Sequence, residues 1–326
     1  MATQLLFDLL GPEVDDAEEG KATRFISTPN ALLTAATLET FLLFSQEIPS
    51  QNLGFVDARA SSLDLTVAGK DYVIHQTPAV LSSNRAGGTT GAVLWKVTPM
   101  FADWIASPGN PLWRTGVLAP TSYVIELGCG ISGLTGMVLS QSVSRYVLTD
   151  QPYVSKWIDA NLAENAANLS ASGAATTRRR GKGKAAAAPP SGNVTFTPLD
   201  WELDEVTSRL TGSDAVKSFD AVIACDCIYN DALIRPLVQT CVDVCKLRRA
   251  SGSAEGESDQ SEEPAICIVA QQLRDPEIFE GWIKEFHRHF RTWRMPESHL
   301  SDALRANPGF VIHVGKLRTA PLESHY

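Results

Sequence analysis

The chain has 326 residues, 44% of them hydrophobic, which is enough to bury the core of one large domain or two modest ones. Its net charge of −9 at pH 7 argues against nucleic acid as the main partner and suits a basic protein substrate. No apolar run approaches the roughly 20 residues of a membrane helix, and the acidic N-terminus lacks the basic region of a signal peptide. We therefore expect an intracellular protein without membrane association.

The first third of the chain is predicted to be an extension that precedes the main domain. Residues 1–20 contain six acids and no base after a short apolar start, so residues 1–24 are expected to be a mobile acidic tail. Helical apolar spacing and period-two alternation both occur within residues 25–119. The elements predicted there are a helix within 29–44, a hairpin of 62–67 and 72–75, and a helix over 92–105 with a glycine-rich entry at 87–91.

From residue 120 to 326, short apolar strands alternate with helices, which predicts an α/β domain with a mostly parallel, Rossmann-like sheet. The predicted strands are 123–127, 146–149, 194–198, 221–224, 265–270 and 310–316, and the predicted helices are 132–141, 152–165, 232–246 and 276–290. Two segments, at about 168–193 and 250–263, lack apolar content and are expected to be disordered insertions. The first contains five bases, for which we favour a solvated loop over a nuclear address or an RNA contact.

The six cysteines and six histidines of the sequence show no metal-site pattern. No Cys-x-x-Cys pair occurs, and Cys225, Cys227, Cys241 and Cys245 fall in apolar settings, so we expect buried, reduced thiols. The histidines also lack the spacing of metal ligands. No metal is therefore predicted.

The chemistry is predicted at the turn after the first strand of the main domain. Gly128, Gly130 and Gly133 have the G-x-G-x-x-G spacing that lets a backbone turn approach a ligand closely. Dinucleotide-binding dehydrogenases share this spacing with enzymes that bind S-adenosylmethionine. Asp150, an acid after the next strand, suits the ribose of a dinucleotide and of S-adenosylmethionine alike. Glu126 discriminates between the two cofactors. A carboxylate beside the turn repels the pyrophosphate of a dinucleotide but attracts the sulfonium and ammonium groups of S-adenosylmethionine. The turn therefore favours a methyl donor.

Motifs at the ends of later strands carry a resemblance to a known family. Leu199-Asp200-Trp201 follows the third strand, residues 225–230 read Cys-Asp-Cys-Ile-Tyr-Asn after the fourth, and Gly91-x-x-x-Trp95 precedes the domain. This combination resembles the methyltransferase-like 21 group of seven-strand, S-adenosylmethionine-dependent protein-lysine methyltransferases. Residues 225–230, followed by 236–241, are similar to the fungal ribosomal lysine N-methyltransferase 5 family. Over most of residues 87–317, the resemblance implies a Rossmann-like seven-strand fold and a target lysine on a large-subunit ribosomal protein of the L1 type.

The resemblance also implies which residues hold the cofactor. They are Trp95 as a cap, Glu126 beside the cationic groups, Gly128, Cys129 and Gly130 at the methionine end, Asp150 on the ribose, Trp201 near the adenine, and Cys225 through its main chain. Two of these residues have ordinary structural alternatives. A tryptophan such as Trp95 is often a core residue, and Asp150 could be a helix N-cap before Pro152.

Asp226 and Tyr229 are the candidate catalytic residues. The attacking lysine has a pKa of about 10.4 and must lose a proton, after which transfer depends on alignment of the amine with the methyl–sulfur bond. Asp226 is predicted to hold the amine, more as a positioning group than as a strong base, and Tyr229 to form an aromatic wall beside the lysine. The structural alternative is that Asp226 caps the next helix and Tyr229 packs in the core. Adenine methyltransferases place prolines where this chain has Cys227-Ile228, which favours a protein amine over a nucleobase.

The predicted function is that of an S-adenosylmethionine-dependent protein-lysine N-methyltransferase. It is expected to be a monomer that acts on a protein, without direct contact with nucleic acid, in the cytoplasm or alternatively the nucleus. Two other functions stay open from the sequence. They are a non-catalytic module that binds cofactor and partner, and an NAD-dependent oxidoreductase.

Overall fold

The computed structural model describes residues 1–14, 34–48, 54–81, 89–169, 192–251, 263–307 and 309–322. The strands are β1 (Ser62–Val67), β2 (Lys70–His75), β3 (Tyr123–Leu127), β4 (Arg145–Asp150), β5 (Val194–Pro198), β6 (Ala221–Cys225), β7 (Ile266–Gln272), β8 (Phe290–Arg294) and β9 (Phe310–Leu317). The helices are α1 (Ala2–Leu10), α2 (Ala35–Phe44), α3 (Pro78–Leu81), α4 (Val97–Ala106), α5 (Pro111–Arg114), α6 (Leu134–Leu139), α7 (Ser155–Glu164), α8 (Ala166–Leu169), α9 (Asp231–Ser251), α10 (Pro276–His289) and α11 (Asp302–Arg305). Within the described ranges, none of these helices has the length and apolar content of a membrane span.

Seven strands form one sheet, in the order β5-β4-β3-β6-β7-β9-β8. The strands from β5 to β7 in this order are parallel, and β9 runs antiparallel to both β7 and β8. Alternate residues of a strand belong to two separate apolar clusters, as Val124 and Ile125 of β3 do. One cluster includes α1, α4, α6, α7 and the β1–β2 hairpin, and the other includes α2, α9 and α10. The central strands are apolar throughout because helices cover both faces of the sheet.

The strand order places the ligand-binding edge of the sheet. Numbered along the main domain, the order is 3-2-1-4-5-7-6, with the antiparallel β9 between β7 and β8. A dinucleotide-binding sheet has the order 3-2-1-4-5-6, without that strand. The protein therefore has the predicted Rossmann-like seven-strand fold. The order reverses between β3 and β6, and open α/β sheets bind ligands beyond the carboxyl ends of the strands at such a point.

All six strands predicted for the main domain are present, with ends that shift by no more than two residues. The four predicted helices are also present, although α6 is shorter than predicted and α9 extends further. β8 has no counterpart among the predictions. It follows α10 without a loop, and its arginines, Arg291 and Arg294, weaken the apolar pattern of its five residues.

The predicted helix over 92–105 is wrong in its first turn, because α4 begins at Val97. Of the residues before it, Leu94 and Trp95 are held by partners from earlier in the N-terminal extension. The Leu94 main-chain N–H donates to the Gln76 side chain at 3.0 Å, and Trp95 forms a β-bridge with Phe55. These partners lie far away in the sequence, so local helical spacing could not reveal them.

The prediction of a mobile tail over residues 1–24 is wrong for residues 1–14, which include a packed helix and, at Val14, an N–H that donates to the Thr292 carbonyl of β8 at 2.7 Å. Residues 2–10 form α1, whose Leu6, Phe7 and Leu10 are buried in the core. The Phe7 ring stacks on Trp293 of β8 with centroids 3.8 Å apart. The acids that suggested a tail lie mostly after this apolar helix. Residues 15–24, and nearly all of the two predicted insertions at about 168–193 and 250–263, lie outside the described residues.

The predicted hairpin is confirmed, and two asparagine side chains fasten it to α7. The Asn165 amide accepts from the Val73 main-chain N–H at 2.9 Å and donates to the Val73 carbonyl at 2.8 Å. Asn161 makes the same pair of bonds with His75, at 2.7 and 3.0 Å. Asn161 also donates to the Ile131 carbonyl at 2.8 Å, within the glycine turn. These side chains therefore tie the extension to the main domain beside that turn.

Replacing Asn165 by alanine is expected to lower the free energy of unfolding by about 1–2 kcal/mol, because two hydrogen bonds to the hairpin backbone are lost. Urea unfolding followed by circular dichroism would measure this change. Asn168→Ala is the matched control, since Asn168 makes one exposed hydrogen bond to the same hairpin, and a change within about 0.5 kcal/mol is expected. Equal effects of the two substitutions would contradict the prediction.

Candidate active site

The turn after β3 has backbone conformations that favour glycine. Gly128, Gly130 and Gly133 have φ values of +70°, +61° and +54°. A Cβ atom on Gly128 would lie 2.7 Å from the Cys227 sulfur, and one on Gly130 would lie 3.2 Å from the Gly91 carbonyl oxygen. The turn thus packs closely against both the segment after β6 and the N-terminal extension.

A cavity of about 870 Å³, counting space open to solvent, lies beside this turn at the carboxyl edge of the sheet. All ten predicted site residues line it, namely Trp95, Glu126, Gly128, Cys129, Gly130, Asp150, Trp201, Cys225, Asp226 and Tyr229. β6, which ends just before Asp226, pairs directly with β3, with Leu127 opposite Ala224. The structure therefore brings the ten residues together, while their individual roles remain predictions.

Several lining residues were not found by sequence reasoning. They are Thr90, Val93, Leu94, Thr98, Ser132, Gln151, Tyr153, Glu202 and Leu233. Gln151 and Tyr153 directly follow Asp150, so their position after a strand end is a signal that could have identified them. Thr98 had no such signal, because only the packing of α4 against the sheet brings it to the cavity.

Glu126 places a buried carboxyl group on the cavity wall. Its exposed fraction is 2%, and its Oε2 accepts a hydrogen bond from the Tyr146 hydroxyl at 2.9 Å. Burial raises the pKa of Glu126 to about 7, although the hydrogen bond from Tyr146 opposes this shift. A cation that entered the cavity would favour the ionised form of this group.

Asp150 holds the glycine turn with its side chain. Its Oδ2 accepts from the Gly130 main-chain N–H at 2.8 Å, and its Oδ1 accepts from the Gln151 N–H at 2.7 Å. Burial raises the pKa of Asp150 to about 6, while these two hydrogen bonds lower it. The helical turn at 152–154 has Gln151 at its N-cap position, so the alternative of Asp150 as the N-cap is wrong. Lone pairs of both oxygens stay available to hydroxyl donors in the cavity.

Two tryptophans, Trp95 and Trp201, line the cavity. The Trp201 ring packs on the glycine turn, since a Cβ on Gly128 would lie 3.0 Å from it. The Trp95 ring lies 4.5 Å from the Phe55 ring and has the Arg274 guanidinium 4.9 Å from its centroid. Trp95 is therefore partly enclosed by protein and also faces the cavity.

Asp226, directly after β6, forms an ion pair that the sequence did not indicate. The guanidinium of Arg274 donates to both carboxylate oxygens, at 2.8 and 2.6 Å, and the Gln272 N–H donates to Oδ1 at 3.2 Å. The Asp226 backbone has φ +58°, an uncommon conformation outside glycine. The alternative that Asp226 caps α9 is wrong, because its carboxylate is directed to Arg274 instead.

Tyr229 is 39% exposed, so the alternative that it packs in the core is also wrong. Burial of part of the side chain raises the pKa of its hydroxyl, which is therefore neutral at pH 7. The neighbouring thiols of Cys225 and Cys227 are buried, as predicted, and burial raises their pKa values well above the usual range. These thiols are neutral as well. Across the ranges that the structure covers, no His, Cys, Asp or Glu side chains are grouped so that they could hold a metal ion.

Comparison with known proteins identifies relatives of this chain. A family model described as lysine methyltransferase matches residues 183–254. Ribosomal lysine N-methyltransferase 5 from Zygosaccharomyces rouxii is 33% identical over 238 residues, which cover 66% of this chain and 70% of that protein.

Two further similarities extend over less of the matched protein. Diaminohydroxyphosphoribosylamino-pyrimidine deaminase from Schizosaccharomyces pombe is 28% identical over 253 residues, covering 77% of this chain. The chain spans about half of that protein's length, 51%. Among solved structures, tRNA (uracil-54, C5)-methyltransferase from Pyrococcus abyssi matches over 79% of this chain and 45% of the Pyrococcus chain. The sequence identity is 16% and the TM-score is 0.37.

Proposed function

This chain belongs to the ribosomal lysine N-methyltransferase 5 family, and we propose that it transfers a methyl group from S-adenosylmethionine to a lysine side chain of a protein. One observation carries the proposal. Two carboxyl groups, the buried Glu126 and the partly buried Asp150, share a cavity with Asp226 and Tyr229 at the end of the neighbouring strand. The first pair suits a cationic nucleoside cofactor, and the second pair suits an amine.

The donor set of the cavity fits S-adenosylmethionine. Glu126 would hold its cationic methionine end, and Asp150 would accept from the ribose hydroxyls while it fixes the Gly130 backbone. Trp201 offers a ring beside the turn on which an adenine could stack. When bound, the cofactor supplies a methyl group on a sulfonium. The chain contributes binding, orientation and exclusion of water.

On the acceptor side, Asp226 and Tyr229 would position the lysine. The amine must be neutral to attack, and a site with a low exposed fraction favours its neutral form. Arg274 offsets the charge of Asp226, so the pair can orient an amine without strongly favouring its ammonium form. Asp226 is therefore assigned a positioning role rather than that of a strong base. Tyr229 would supply an aromatic wall beside the lysine stem.

The proposed target is a ribosomal protein, as the name of these relatives suggests, with a large-subunit protein of the L1 type as the specific candidate. We further propose that the protein works as a monomer in the cytoplasm, or alternatively the nucleus, without direct contact with nucleic acid. Mass spectrometry of ribosomal proteins from cells with and without the protein would test the target. An unchanged lysine methylation pattern would contradict it.

Replacing Asp150 by alanine is expected to weaken S-adenosylhomocysteine binding about tenfold, because charge-assisted hydrogen bonds are lost. Isothermal titration calorimetry measures this directly. Asp159→Ala is the matched control, since Asp159 lies on the exposed side of α7, and unchanged binding is expected there. Absence of binding to the wild-type protein, or unchanged binding after Asp150→Ala, would contradict the proposed cofactor site.

Three other functions are less well supported. The strand order of the sheet differs from the dinucleotide-binding order, and Glu126 would repel a pyrophosphate, so an NAD-dependent oxidoreductase is disfavoured. The sequence also contains neither the H-x-E nor the P-C-x-x-C pattern of zinc nucleobase deaminases. A non-catalytic module predicts that Asp226→Ala leaves cellular function intact, which the methylation proposal does not.

A further inference from the structure

A second cavity lies next to the first and shares one wall with it. It measures about 400 Å³, again counting space open to solvent, and Tyr229 lines both cavities. The rest of its lining comes from Ile228, the end of β7, the loop that follows β7 and the start of α10. A chain segment seated in the second cavity would therefore lie beside Tyr229, at the entrance to the Asp226 side of the first.

Gln271 gives this cavity an unused hydrogen-bond donor. Its side chain lines the cavity, and only 1% of the residue is exposed. Among the described residues, its Nε2 has no hydrogen-bond partner. Buried amide groups in native proteins are almost always paired, so an unpaired one at a cavity wall is a donor that the acceptor atom of a ligand can use.

The other polar groups of this cavity narrow the class of ligand. The carboxylate of Asp275 is used at the start of α10, where it accepts from the N–H groups of Glu277 and Ile278 at 2.8 and 3.2 Å. The guanidinium of Arg274 is directed to Asp226. The charges of Asp275 and Arg274 are thus already engaged by partners within the protein. The cavity therefore suits a ligand with a neutral acceptor atom rather than a phosphate or a carboxylate.

Apolar side chains complete the lining. Ile278 and Phe279 of α10 face the cavity, so it can also accept an apolar side chain or stem. A main-chain carbonyl beside an apolar side chain is the pattern that an extended polypeptide presents. A nucleobase would instead be read by several hydrogen bonds along its edge.

We propose that the second cavity binds the polypeptide segment next to the target lysine, with the Gln271 amide donating to a main-chain carbonyl of that segment. The inference rests on the proposed methyl transfer to a protein lysine. The second cavity would be the site that selects which segment of the protein substrate is methylated. The lysine side chain would pass Tyr229 from this cavity to reach the Asp226 end of the first.

Gln271→Met tests this assignment, because methionine keeps the length of the side chain and removes the amide. The probe is a set of fluorescein-labelled peptides tiled across large-subunit ribosomal proteins. Their binding is measured by fluorescence anisotropy with S-adenosylhomocysteine present. We expect the tightest peptide to bind the variant about five- to tenfold more weakly, the loss of one hydrogen bond. The affinity for S-adenosylhomocysteine is expected to stay unchanged.

Stability separates this role from a merely structural one. Removing an unpaired buried amide is expected to leave the melting temperature unchanged or to raise it, whereas loss of a structural hydrogen bond would lower it. Gln239→Met, on α9 and outside both cavities, is the control and should bind the peptide as the wild type does.

Methylation of the same peptides is scored separately by mass spectrometry, so that the two proposals can fail independently. Peptide binding that weakens only in Gln271→Met supports the second cavity, whether or not methyl groups are transferred. Equal peptide affinity of the wild type and Gln271→Met, or no peptide binding at all, would overturn it. Absence of methylation by a wild-type protein that binds peptide and cofactor would count against the proposed function alone.

Discussion

Replacing Arg274 by methionine is expected to lower the free energy of unfolding by about 3–5 kcal/mol. The Asp226 side chain is 1% exposed, and Arg274 donates to both of its oxygens. Removing the guanidinium would leave a buried charge without its partner, which costs far more than the pair itself contributes. The loss should appear as a lower midpoint of urea unfolding.

The same substitution is expected to reduce the rate of methyl transfer about a hundredfold, since small errors in placing a reacting group cost that much. Arg274 donates to both carboxylate oxygens of Asp226, whose backbone is left-handed with φ +58°, and its guanidinium also lies over the Trp95 ring. Without this fork of hydrogen bonds, the carboxylate has no fixed orientation towards an amine. The affinity for S-adenosylhomocysteine should change little, so that kcat falls while cofactor binding is preserved.

Two variants serve as controls for this prediction. Arg305→Met breaks an exposed ion pair with Asp302 on α11 and should cost no more than about 1 kcal/mol. The double variant Asp226→Asn with Arg274→Met removes both charges and should recover most of the lost stability, but not the activity. An Arg274→Met protein as stable as Arg305→Met would show that the buried pair does not have this role.

Much of the candidate site could be predicted because its residues follow strand ends. Glu126, Asp150, Trp201 and Asp226 each lie in or directly after a parallel strand, and the carboxyl ends of such strands meet at one edge of the sheet. Their order along the chain therefore implied their proximity. The fold was predictable for the same reason, since alternation of short apolar strands and helices leaves few topologies.

The parts that escaped prediction depend on contacts between distant segments. Arg274 and Asp226 are 48 positions apart in the sequence, and no local pattern near either residue predicts that they form an ion pair. Trp95 is extended because of Phe55, not because of its neighbours. The acidic residues near α1 concealed the spacing of Leu6 and its apolar neighbours. In each case a tertiary contact outweighed the local pattern.

The affinity for S-adenosylmethionine is expected to rise with pH through the pKa of Glu126, about 7 in the ligand-free protein. The shift arises from burial, which disfavours the charged form. A cationic ligand binds the ionised carboxylate, so its affinity is reduced where Glu126 is protonated and is fully developed about one unit above this pKa. Binding near pH 7 must therefore release protons. Asp150, with a pKa of about 6, contributes a second rise at lower pH.

Glu126→Gln isolates this effect, because it keeps the shape of the side chain and its hydrogen bond with Tyr146. At pH 8, it is expected to weaken cofactor binding about a hundredfold, since one partner of a buried charge pair is lost. The rise near pH 7 should disappear, whereas the rise that Asp150 causes near pH 6 should remain. Above about pH 8, affinity should fall in both proteins, as the α-amino group of the ligand loses its proton.

Calorimetric titrations in buffers of different ionisation enthalpy would count the protons released between pH 6 and 8. Asp150→Ala is the reciprocal variant, which should keep the rise near pH 7 and lose the one near pH 6. If Glu126→Gln showed the same pH dependence and proton release as the wild type, the buried carboxyl group could not be the partner of the cationic cofactor. The choice of a methyl donor over a dinucleotide would then lose its electrostatic basis, because Glu126 is the residue that distinguishes the two at this glycine turn.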